Sequence, residues 1–113
     1  WGDDWDYSRR ISKKYPSYLI MRSVVTHKTL HNYGCDVSND VPERINRYWY
    51  FFRNRVYQAK TEGMLGFVYW ILNLAKNILK VLIFSQEKKE RLKIIFKGTI
   101  DGIKFNPKEK KFD

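Results

Sequence analysis

Asp3, Asp4 and Asp6 stand beside Trp1, Trp5 and Tyr7 in the opening string WGDDWDY. Carboxylates accept hydrogen bonds from hydroxyls, and large rings stack on the C–H faces of sugars. A solvated acidic run has no use for two indoles and a phenol. The cluster therefore reads as the wall of a carbohydrate site, although the same acids would also stabilise the start of a helix. His27 and His31 are the two histidines of the chain. Two imidazoles do not by themselves make a metal site, which needs further ligands.

These residues need elements to hold them. Asp4 to Lys14 reads as a short helix with Trp5, Ser8, Ile11 and Ser12 on one side, broken at Tyr15-Pro16. Ser17 to Thr26 is apolar and β-branched, which predicts a strand. A helix followed by a strand fits the end of an α/β unit. Residues 27–41 are polar and turn-forming. Pro42 then sits where a helix takes its first residue, with Asp40 placed as an N-terminal cap. From Glu43 to about Glu62, Ile45, Trp49, Phe52, Val56 and Ala59 recur at helical spacing. Gly63 is expected to end that helix. Glu87 to Lys97 is a charged helix with Leu92, Ile95 and Phe96 as its seam, and Gly98 and Gly102 are expected to mark its end.

Met64 to Phe84 is the most apolar stretch, and its length invites a transmembrane reading. Asn73, Lys76, Asn77 and Lys80 argue against it, since they fall at i, i+3, i+4 and i+7 and form one polar stripe. An amphipathic helix lying in a membrane interface fits better, with Phe67, Trp70, Ile71, Leu74, Ile78, Val81 and Leu82 in the apolar layer. A helix packed on its own protein is the alternative.

The chain carries 22 Lys plus Arg against 12 Asp plus Glu, a formal net charge of +10. Residues 1–40 hold 6 basic and 5 acidic side chains, and residues 41–113 hold 16 and 7. The basic part calls for an anionic partner. Hydrophobic residues at 43% exclude a disordered chain, and 113 residues allow one small domain or part of a larger one. The single Cys35 cannot form an internal disulfide, which favours a reducing compartment. The first residue is not Met and lies inside a motif, so a fragment is expected. No nucleotide motif or glycine-rich phosphate loop is present.

Four segments together resemble the C-terminal half of an inverting family 2 glycosyltransferase of GT-A fold, in its rhamnosyltransferase and galactofuranosyltransferase branches. They are GDDWDYSRR, SYLIMRSVVTHK, RINRYWYFFRNR and FKGTIDGIK, and they stand in the family's order. The resemblance implies an α/β fold class. Residues 1–41 would be the C-terminal end of a GT-A catalytic domain, holding an acceptor-side helix, a strand and a metal-site loop. Residues 42–113 would be a helical, basic, membrane-associating extension. It implies Asp4, or alternatively Asp3, as the base that takes the acceptor hydroxyl's proton. It implies His27 as a ligand of Mg²⁺ or Mn²⁺, which would neutralise the diphosphate leaving group. Trp1, Trp5, Asp6, Tyr7 and Arg10 would line the acceptor site. Arg47, Arg53 and Arg55 are candidates for a diphosphate or a lipid-linked acceptor, because guanidinium forks suit phosphate.

The expected enzyme would transfer rhamnose or galactofuranose from a nucleotide-sugar donor to a polysaccharide or lipid-linked glycan, with inversion. It would work as a cytoplasmic protein, peripheral on the inner face of the cell membrane and held there by anionic lipid. Arg9 and the Lys14-Tyr15-Pro16 turn depart from the family's pattern and leave the sugar open. The competing reading is a non-enzymatic, membrane-surface helical module. No nucleic-acid partner is expected: the basic residues scatter over several helices and form no reader motif.

Overall fold

In the computed structural model, the described residues are 3–26, 28 and 35–107. Among them lie four α-helices: α1 (Asp3–Ser12), α2 (Arg47–Thr61), α3 (Gly63–Phe84) and α4 (Lys88–Lys104). A single 3₁₀ turn, Pro42–Arg44, precedes α2, with the proline at its first positions. α2 is the central element, packed on both α4 and α3.

No strand occurs among the described residues, so the expected α/β fold class is corrected to all-helical. Ser17–Thr26 is irregular and turns at Met21–Arg22, closed by the Ser23 N–H donating to the Ile20 carbonyl at 3.1 Å. Its side chains are almost wholly exposed, Val24 at 88%. The apolar, β-branched composition is that of a strand, but a strand exists only as one member of a ladder. No described residue supplies the partner, so propensity has nothing to act on. The GT-A-like end assigned to residues 1–41 is therefore absent from the described residues as a sheet element.

Residues 36–41, which precede the boundary expected after residue 41, pack with the helices. Val37 is buried in the core with Tyr48, Phe52, Val81 and Ile95. Around it, the loop preceding Pro42 is pinned by three helices. Lys80 of α3 donates to Asp36 Oδ2 at 2.7 Å, and the Ser85 hydroxyl donates to the Ser38 carbonyl at 2.7 Å. Arg91 of α4 donates to the carbonyls of Val37 and Asp40 at 2.6 and 2.8 Å. The segment thus belongs with the helices. Asp40 does not cap a helix through its side chain. It accepts from the Val41 N–H at 2.9 Å and from the Tyr48 hydroxyl at 2.8 Å. Burial and that hydrogen bond push the Tyr48 phenol above its ordinary range.

Of two expectations about helix ends, one holds and one is corrected by backbone geometry. Gly63 ends α2 as expected, in the left-handed conformation at φ 73° just past the cap residue Glu62, and α3 starts at it directly. Gly98 and Gly102 do not end α4, which runs on to Lys104. They sit where α4 meets α2. A Cβ on Gly98 would lie 2.7 Å from the Trp49 carbonyl oxygen, and one on Gly102 equally close to that of Arg53. Small residues at i and i+4 thus bring two backbones together. Trp49 Nε1 donates to Asp101 Oδ2 at 2.7 Å in the same seam. Lys60 closes its far end by donating to the carbonyls of Gly102 and Ile103.

Candidate functional site

The acid cluster opens α1. Asp4 is exposed in its first turn, where the helix N-terminus favours a carboxylate. Asp6 is bound to Arg10 one turn on, at 3.0 Å, so these two expected acceptor ligands hold one another. Trp5 is half-exposed beneath the Arg9 guanidinium, 5.2 Å from the ring centroid. Tyr7 is exposed. Arg9 Nη1 reaches Glu62 Oε1 at 2.9 Å, which ties α1 to the α2–α3 junction. Trp1, His27 and His31 lie outside the described residues. Among the described residues, no three His, Cys, Asp or Glu side chains gather to hold a metal.

The three candidate phosphate-binding arginines do not converge. Arg47 is exposed at the start of α2. Arg53 is locked in the α2–α4 seam: its guanidinium stacks 4.0 Å over Phe105 and 4.8 Å over Trp49 and donates twice to Asn54 Oδ1. Arg55 lies 5.2 Å over the Phe51 ring on another side of α2. A helix turns these positions apart, so they do not form one clamp for a diphosphate.

Arg55 faces a different feature. A half-open cavity of about 350 Å³ lies between α1, α2 and α3. Trp5, Phe51, Phe52, Tyr69 and Trp70 give it aromatic walls, while Arg55, Gln58, Glu62 and Asn73 contribute polar groups. Gly66 is part of its lining, and a Cβ there would collide with Glu62. The indole N–H of Trp70 is buried without a hydrogen-bond partner. Of the described residues expected in the acceptor site, Trp5 is the one that reaches this cavity. Sequence periodicity assigned Trp70 to a membrane layer and Asn73 to a polar stripe, and so missed their meeting. A glycine one turn before an aromatic pair was the available signal for a hollow.

α3 has three faces rather than two. Leu74, Ile78 and Val81, expected in the membrane layer, pack on the core instead. Asn77 donates to Asn73, and Lys80 to Asp36, so most of the polar stripe is held by the protein. Leu65, Val68, Leu72, Leu79 and Ile83 share a further face, all of them exposed. Gly63–Phe84 is long and apolar enough to cross a membrane by length and composition, and 6% of its most apolar window is buried.

No family model, curated protein or solved structure matches this chain.

Proposed function

We infer that the chain is the acceptor-side, membrane-docking part of an inverting glycosyltransferase acting on a polysaccharide or lipid-linked glycan. The observation that carries this reading is the meeting of two of the resembling segments. RYWYFFRNR lies on α2 and KGTIDG on α4, and they pack through Gly98 against Trp49, through Gly102 against Arg53, and through the Trp49–Asp101 hydrogen bond. A motif whose glycines and acid serve close packing of a second motif, 52 residues away for Trp49 and Asp101, is a joint requirement rather than two separate coincidences.

Asp4, or its neighbour Asp3, is the base. Each stands at the head of α1, and a sugar hydroxyl needs such a carboxylate to take its proton as it attacks the anomeric carbon. The donor nucleotide-sugar, Mg²⁺ or Mn²⁺, and the metal role of His27 come with the same reading. The uncovered face of α3 holds the assembly against an anionic inner leaflet, with exposed lysines such as Lys76 at headgroup level.

The test is genetic. Deletion of the encoding gene in its host should remove or shorten a surface glycan, visible by gel electrophoresis. The wild-type gene should restore it, and a gene carrying Asp3→Asn and Asp4→Asn should not. Full restoration by the double variant removes the assignment. The free face of α3 favours a second reading, a docking module without catalysis. On that reading the glycan is indifferent to both aspartates, while vesicle binding persists.

A further inference from the structure

We propose that the cavity between α1, α2 and α3 is a saccharide-binding site that holds a short piece of the glycan acceptor. The proposal rests on the glycosyltransferase reading for the identity of that glycan. Its physical basis is the cavity wall.

A volume of about 350 Å³ is at the small end of ligand sites and suits a short saccharide. The lining decides what kind of molecule fits. An acyl or isoprenoid chain would want aliphatic walls, yet Ala59 and Leu74 are the aliphatic side chains among the lining residues. Aromatic rings and planar polar groups line the rest. Trp5 and Tyr69 offer half-exposed and exposed ring surface to the apolar C–H face of a sugar. Arg55, Gln58 and Asn73 place guanidinium and amide groups between the rings, donors and acceptors that match vicinal hydroxyls. The buried Trp70 N–H has no partner, and a buried donor left unsatisfied is costly. A sugar oxygen would satisfy it. The α1 side of the cavity is fixed by the Arg9–Glu62 ion pair, so the segment that carries Asp4 also carries a wall of the cavity, Trp5.

The experiment is titration of the ¹⁵N-labelled chain with methyl glycosides of rhamnose, galactose and glucose, and separately with decanoate. The Trp70 indole resonance is identified by its loss in Trp70→Phe. The expected result is a shift of that resonance, saturating in the millimolar range, with at least one glycoside. Trp70→Phe, which keeps an aromatic ring and loses the donor, should weaken binding of that glycoside roughly three- to tenfold, read from the backbone amide resonances that shift with it. Tyr69→Ala should weaken it comparably.

No shift of the Trp70 indole with any glycoside overturns the proposal. So does a shift with decanoate alone, which would make the cavity a lipid-chain site. Glycoside binding that both variants leave unchanged places the sugar elsewhere and overturns it too. Saccharide binding in the cavity, with glycan synthesis indifferent to Asp3→Asn and Asp4→Asn, would keep the site and remove the enzyme reading. Absent binding, with synthesis lost in the double variant, would do the reverse.

Discussion

At the scale of single residues, the polar groups that hold the loop before Pro42 are the most exacting. Arg91 is 6% exposed and satisfies two carbonyls, of Val37 and Asp40, with Glu87 at 3.2 Å as its charge partner. Arg91→Ala would leave those carbonyls buried and unpaired. We expect a loss of about 3 kcal/mol in urea denaturation, against about 1 kcal/mol or less for an exposed control such as Lys93→Ala. Asp36 is subtler. Partial burial pushes its carboxyl up, but the hydrogen bonds from Lys80 and Ser38 outweigh this and hold it at about 2, below its ordinary 3.8. A carboxyl with a depressed pKa stabilises the fold above its unfolded value and loses that contribution as pH falls through the folded one. Asp36→Asn should therefore lower the melting temperature at neutral pH. The difference from wild type should shrink between about pH 4 and pH 2. The pair is about a third exposed, at 38% and 34%, so solvent screening keeps the effect near or below about 1 kcal/mol. A gap that stayed constant down to pH 2 would contradict this origin.

At the scale of elements, the α2–α4 seam depends on two glycines. Gly98→Ala and Gly102→Ala each place a methyl group 2.7 Å from a carbonyl oxygen of α2, and the helices must separate to admit it. We expect each to cost about 2 kcal/mol or more by thermal or urea unfolding. Gly63→Ala meets nothing within 4 Å and pays only for its positive φ, about 1 kcal/mol. Equal losses at all three positions would mean that the close approach is not real. Much of this was legible in the sequence. The spacing of Phe52, Val56 and Ala59 marked the buried side of α2, and Met64–Phe84 read as one helix. What escaped had physical causes. Ser17–Thr26 has strand composition, but composition says nothing of whether a partner strand exists. Gly98 and Gly102 are helix breakers by propensity, and tertiary packing overrides propensity where a small residue is needed. Leu74, Ile78 and Val81 are apolar on any reading. Periodicity cannot tell a core-facing stripe from a membrane-facing one when a helix is apolar on both. The cavity was illegible because it is made by three elements, and no spacing within one of them encodes it.

At the scale of the molecule, an exposed apolar face on α3 is combined with a net charge of +10. Association with anionic vesicles should follow from both, and should weaken with salt without vanishing. Leu72→Glu and Ile83→Glu, each in an exposed position, should reduce flotation with phosphatidylglycerol vesicles at least tenfold at unchanged helix content by circular dichroism. Wild-type flotation in both variants would take α3 out of the interface. Docking would serve the sugar transfer proposed for this chain. The most direct test is transfer of radiolabelled sugar from nucleotide-sugar donors by host membranes carrying the gene product in wild-type form or with Asp3→Asn and Asp4→Asn. Glycan-bound label is expected with the wild type, and a loss of at least about a hundredfold in the double variant. Equal incorporation by the two forms would contradict it.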